Sequence, residues 1–121
     1  MTRARETSEN ARQAKAWANF NGTFGSSPLT LDNGGIRDAF NVSSVTYHGV
    51  GVYTINFATP MANTNYCLVA FGRDPSNDST VVNNIGSMAS DTKTISSFVV
   101  RYTYHGVYYN SSEINVIVFG E

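Results

Sequence analysis

Apolar and polar residues alternate with a period of two in several short runs of this chain. Tyr53, Ile55 and Phe57 are separated by Thr54 and Asn56, and Phe98, Val100, Tyr102 and Tyr104 by Val99, Arg101 and Thr103. In extended chain successive side chains face opposite ways, so each run predicts a strand with one buried face. Phe40 and Val42 share one parity, Val45 and Tyr47 the other; a bulge at Ser43-Ser44 would bring all four to one face. Turn residues separate the runs: Asn33-Gly34-Gly35, His48-Gly49-Val50-Gly51, Asp74-Pro75-Ser76-Asn77-Asp78 and Asn110-Ser111-Ser112. Strands this short and this often interrupted predict an all-β fold, an antiparallel, jelly-roll-like β-sandwich, and not βαβ units.

Two runs depart from the alternation. Tyr66-Cys67-Leu68-Val69-Ala70-Phe71 is polar at neither parity, and only Asn115 interrupts Ile114 to Phe119. A small sandwich needs one inward face per strand. Either these strands lie at its centre, or their second face meets another subunit, with Val69, Phe71, Ile117 and Phe119 as candidate interface residues. Cys67, the single cysteine, has no intrachain partner, and its apolar setting predicts an inert core thiol.

The first 15 residues read differently. Arg3, Arg5, Glu6, Glu9, Arg12 and Lys15 are charged, and the apolar residues are small: Ala4, Ala11 and Ala14. Residues 1–15 are expected to form a short helix or flexible arm, and residues 16–121 the sandwich, since 121 residues supply one core. With no apolar stretch near the start and no run of about 18 apolar residues, neither a secretion signal nor membrane insertion is expected.

Composition narrows the function classes. Charged residues are only 14%, whereas Asn, Ser and Thr number 13, 13 and 12. Neutral hydrogen-bonding side chains therefore supply the solubility, which suits surfaces packed on copies of themselves or touching sugars, and is also met through drift in β-rich chains. A net charge of −1 leaves no electrostatic footprint for nucleic acid. Asp32, Asp74, Asp78 and Asp91 fall at expected turns, a structural use of Asp. The chain has no nucleophile elbow, phosphate-cradling loop or histidine pair at ligand spacing, so no catalytic residue, metal or cofactor is expected. Four glycosylation sequon matches are chance expectations in so Asn- and Ser-rich a chain.

One pentapeptide recurs: Thr46-Tyr47-His48-Gly49-Val50 and Thr103-Tyr104-His105-Gly106-Val107. Both copies run from a strand into a glycine turn. Tyr47, His48, Tyr104, His105, Tyr108 and Tyr109 are candidate adhesive contacts, because tyrosine offers an apolar ring and a polar tip at low entropic cost. Alternate members of the set are expected to point inward instead.

Several segments in order carry a resemblance. Ala14-Lys15-Ala16-Trp17-Ala18-Asn19-Phe20-Asn21-Gly22-Thr23, then Ile36 to Val45, Gly51 to Phe57, Asn65-Tyr66-Cys67 and Asn115 to Gly120 together resemble a β-rich terminal module of bacteriophage tail-fibre and related virion structural proteins. The resemblance implies a trimeric, non-enzymatic sandwich at the distal end of an appendage, located in the virion after assembly in the host cytoplasm. Its implied partners are copies of itself, other virion proteins and a host cell-surface glycan or protein. In such a trimer Trp17 and Phe20 would pack at the base. Phe24 to Asn33 looks like an insertion relative to that pattern, and Asp74 to Asp91 departs from it, marking a candidate contact loop. A capsid decoration or tail-adaptor protein, and a monomeric carbohydrate-binding module, stand as alternatives.

Overall fold

The alternating runs form strands, and their inward sides close one core. In the computed structural model, which describes residues 13–73, 81–82, 85–86, 93–104 and 106–121, there are ten strands and no helix among those residues. They are β1 (Ala14–Phe20), β2 (Ile36–Phe40), β3 (Val42–Gly49), β4 (Val52–Phe57), β5 (Cys67–Arg73), β6 (Val81–Val82), β7 (Ile85–Gly86), β8 (Ser97–Tyr104), β9 (Val107–Tyr108) and β10 (Ile114–Phe119). One sheet, the terminal sheet, has the order β2-β1-β10-β5-β6; the other, the hairpin sheet, has the order β3-β4-β8-β7, with β9 folded back on β8. All of these pairings are antiparallel. The predicted all-β sandwich is the observed architecture.

The core is built as the period-two reading requires. Tyr53, Ile55, Phe98, Val100 and Tyr102 from the hairpin sheet meet Ala16, Phe20, Ile114 and Val118 from the terminal sheet, each fully buried. Aromatic rings meet edge to face, with Phe20 on Tyr53 at 5.3 Å and Phe57 on Tyr66 at 5.6 Å between centroids. The small residues have a packing role. A Cβ added to Gly72 would lie 2.7 Å from the Tyr102 ring, so the ring of one sheet occupies the space a side chain on the other would need.

The bulge predicted at Ser43-Ser44 exists: the β3–β4 register slips between Val42 and Ser44, putting Val42 and Val45 both inside. Phe40 does not join them. Asn41, with φ 56°, ends β2 and turns the chain from the terminal sheet to the hairpin sheet, so Phe40 stays outside, opposite Trp17 and 53% exposed. The Asn41 side chain holds this corner: Nδ2 donates to the Thr59 and Lys15 carbonyls, and Oδ1 accepts from the Thr59 N–H at 2.7 Å.

Four further expectations meet the structure here. Trp17 and Phe20, expected together at the base of a trimer, have opposite parity, which puts Phe20 in the core and leaves only Trp17 on the outer face. Cys67 is exposed and not a core thiol; Tyr66, 2% exposed, fills the core position at that end of the run, and the inward parity of β5 belongs to Leu68, Ala70 and Gly72. The first strand begins at Ala14, so Ala14 and Lys15 belong to the sandwich; residues 1–12 of the expected arm or helix lie outside the described residues. The Phe24 to Asn33 segment, read as an insertion, contributes to the core. Leu29 is buried and exchanges both backbone hydrogen bonds with Val45, closing the open edge of β3.

Two buried phenols tie the fold to pH. Burial pushes the Tyr53 hydroxyl well above the ordinary phenol value, and pushes Tyr66 up to about 12. The unfolded chain then loses these protons first, near pH ~10, and folded stability is fully present below that and falls as pH rises. We expect the urea midpoint to hold from pH 7 to 9 and then drop, each phenol adding about 1.4 kcal/mol per pH unit to the slope. Tyr66→Phe should remove its share of that slope; an unchanged slope would contradict the assignment.

Candidate functional site

The outward faces of the two sheets differ sharply in chemistry. On the hairpin sheet, Ser44, Asn56 and Ser97 form one cross-strand row, and Thr46, Thr54 and Val99 the next. Asn56 Nδ2 donates to the hydroxyls of Ser44 and Thr46 at 3.2 and 3.1 Å, and His48 Nε2 pairs with Thr54 Oγ1 at 2.6 Å. That face satisfies its polar groups and needs no cover.

The terminal sheet presents the opposite picture. Its outer face carries the row Phe40–Trp17–Ile117–Val69, set by direct pairing of Trp17 with Phe40 and Ile117, and of Ile117 with Val69. Phe119 and Cys67 pair in the same sheet on the same side, and Phe71 stands opposite Asn115. Val69 is 49% exposed and Phe119 38%, while Trp17, Ile117 and Phe71 are half-buried only by one another and their neighbours. All four expected interface residues, Val69, Phe71, Ile117 and Phe119, thus lie on one face. Trp17 and Phe40 were missed as members of it. For Trp17 the signal was present, since in Ala16-Trp17-Ala18-Asn19-Phe20 the small residues share the parity of the core Phe20.

A polar ladder borders this apolar row. Arg37 Nη1 donates to Asn19 Oδ1 at 3.0 Å, Asn19 Nδ2 to Asn115 Oδ1 at 2.9 Å, and Asn115 Nδ2 to Glu113 Oε2 at 3.3 Å. Glu113 Oε1 then accepts from Arg73 Nη2 at 3.0 Å. The Asn115 amide and the Arg73 guanidinium hold the Glu113 carboxyl below its usual value. Between row and ladder lies a shallow hollow of about 390 Å³, walled by Trp17, Phe71, Asn19, Asn115 and Asp38.

The repeated His-Gly turns come together at one end of the sandwich. β3 and β8 both run antiparallel to β4, so their C-terminal ends point the same way. Asn110 joins the two turns: its Oδ1 accepts from the Gly51 N–H at 2.9 Å and faces the Tyr53 hydroxyl at 3.0 Å, and its Nδ2 donates to the Tyr47 hydroxyl at 3.0 Å. Gly51, at φ 75°, sits so close that a Cβ there would lie 2.7 Å from the Tyr102 carbonyl and 3.3 Å from Tyr108 Cβ.

Of the candidate adhesive residues, Tyr47 is half-buried by this network with its ring tilted against that of Tyr53, and Tyr104 is half-buried against Tyr109 at 6.3 Å. His48 is exposed, and Tyr108 and Tyr109 are 47% and 41% exposed. His105, and Asp74 to Ser90 apart from the backbone of residues 81–82 and 85–86, lie outside the described residues. Among the described residues no three His, Cys, Asp or Glu side chains gather where they could hold a metal ion. No family model, curated protein or solved structure matches this chain.

Removing the strut should loosen the end without dissolving the core. Asn110→Ala strips partners from the Gly51 N–H and the Tyr47 hydroxyl and is expected to cost about 1–3 kcal/mol in urea unfolding. Gly51→Ala adds backbone strain and a clash, so it should cost at least as much. Two wild-type-like midpoints would show that the turns are not load-sharing.

Proposed function

We propose that this chain is a self-assembling module of a bacteriophage virion appendage, a tail-fibre type of structural protein that forms a trimer and contributes to host-surface attachment without catalysis. The observation that carries the assembly half of this reading is the apolar outer face of the terminal sheet. Fully covering a side chain the size of valine, isoleucine or phenylalanine stabilises by roughly 1.5–3 kcal/mol, so a face with three such groups exposed (Phe40, Val69, Phe119) and three more half-buried (Trp17, Ile117, Phe71) disfavours the isolated chain. The hairpin sheet, with its hydrogen-bonded Ser, Thr and Asn surface, has no such deficit.

A second copy fits this face better than an unrelated partner does. The bordering ladder from Arg37 to Arg73 spends its polar groups on one another, with Glu113 paired to Arg73 and Arg37 bonded to Asn19 and the Ser112 carbonyl. The low overall charge also lets identical surfaces approach without repulsion. The virion setting is supported by the ordered sequence segments from Ala14 to Gly120, two of which, Ala14 to Phe20 and Asn115 to Phe119, supply the middle strands of the proposed interface. A second reading, a monomeric carbohydrate-binding module, is favoured by one feature: the hollow beside Trp17 and Phe71, where two aromatic walls flank the amides of Asn19 and Asn115.

Trp17 is the only tryptophan and stands in the row, so it reports on the face directly. Val69→Lys and Ile117→Lys should each keep the wild-type circular dichroism, shift Trp17 emission to the red and speed thiol labelling at Cys67 at least tenfold. Unchanged emission and labelling in both variants would remove the assembly reading. Gold-labelled antibody should then mark particles at an appendage; label spread over the capsid shell would favour a decoration role instead.

A further inference from the structure

The turn end is a surface separate from the assembly face, and we infer that it binds neutral carbohydrate through the exposed rings of Tyr108 and Tyr109. This deepens the attachment half of the reading above, but it stands on different residues.

The first support is rigidity. Tyr108 lies over Gly51, Tyr109 stands edge-on to Tyr104, and Asn110, next in sequence, is fixed by its bonds to Gly51, Tyr53 and Tyr47. A Tyr109 ring packed this way, and a Tyr108 whose Cβ is seated on Gly51, lose little freedom when a ligand arrives. The second is chemistry. The segments 46–54 and 102–112 contain no Asp, Glu, Lys or Arg, and the ion pair at this end, Arg73–Glu113, neutralises itself. Arg101 borders this end, cross-strand from Val52, but the tip segments themselves offer an anionic glycan, a phosphate or a nucleic acid no cation. A neutral sugar offers apolar C–H faces for the rings and hydroxyls for the His48 imidazole and the tyrosine tips. The third is size. The exposed groups, Val50, Val107, Tyr108 and Tyr109, are few, whereas a protein partner of ordinary affinity covers roughly 800 Å² on each side.

The test uses the whole 121-residue chain on an array of neutral oligosaccharides, with sialylated and sulfated glycans as anionic comparators. Retention of at least one neutral glycan is expected, with affinity lowered tenfold or more by Tyr108→Ala and by Tyr109→Ala. Melting temperature and solution mass should not change, and Trp17 emission should stay constant as the glycan binds. Retention of no neutral glycan, a preference for the anionic set, or binding that survives both substitutions would overturn the inference. So would a Trp17 emission change on binding, which would move the sugar to the hollow of the terminal sheet. Mass measured on the same samples keeps the two readings apart. A solitary chain that binds through Tyr108 and Tyr109 would retain this inference and lose the assembly, and a trimer that binds no glycan would do the reverse.

Discussion

A two-layer sandwich can hide one face of each sheet, and the terminal sheet carries apolar side chains on both of its faces. That constraint orders the rest of the molecule. Ala16, Ala18, Phe20, Ile114, Val116 and Val118 fill the inside, while Trp17, Ile117, Val69 and Phe40 line up on the outside of the same sheet. The hairpin sheet resolves the same geometric problem by alternation, with aromatic and aliphatic residues inside and Ser, Thr and Asn outside. The molecule is therefore two-sided, and only one side is finished in water.

The ends of the sandwich are specialised in a related way. At the end where the repeated turns meet, hydroxyl and amide groups replace apolar contact as the fastening. Tyr53 bonds to the Gly22 carbonyl at 2.9 Å, and Tyr102 and Ser111 both donate to the Arg73 carbonyl at 2.7 Å. No polar side-chain atom among the described residues is buried without a partner. A network satisfied to that degree holds in one arrangement the loop that carries the exposed Tyr108 and Tyr109. The attachment proposed at the tips and the association proposed through the sheet would draw on separate surfaces, so one copy could serve both.

Much of this was legible in the residues. Period-two alternation identified β4 and β8, and the excess of apolar residues in β5 and β10 marked the unfinished face and four of its members, Val69, Phe71, Ile117 and Phe119. Local pattern failed where tertiary context decides. Phe40 has the parity of a core residue, but Asn41 in a left-handed conformation interrupts the run and changes its sheet. Cys67 sits in an apolar run whose inward parity turned out to be Leu68, Ala70 and Gly72. Leu29 lies in a loop with no period to read, and becomes core only because it pairs with Val45, far along the chain, across an edge no sequence signal announces. The Asn110 strut was readable only as a turn residue, since its three partners come from other strands.

The most direct measurement is the mass of the particle in dilute solution by sedimentation equilibrium. Assembly through the terminal sheet predicts a species three times the 13.2 kDa of the chain, persisting to low micromolar concentration. A single species at 13.2 kDa over the whole concentration range would contradict it, and would mean that water, or the chain's own residues, covers the row from Phe40 to Val69.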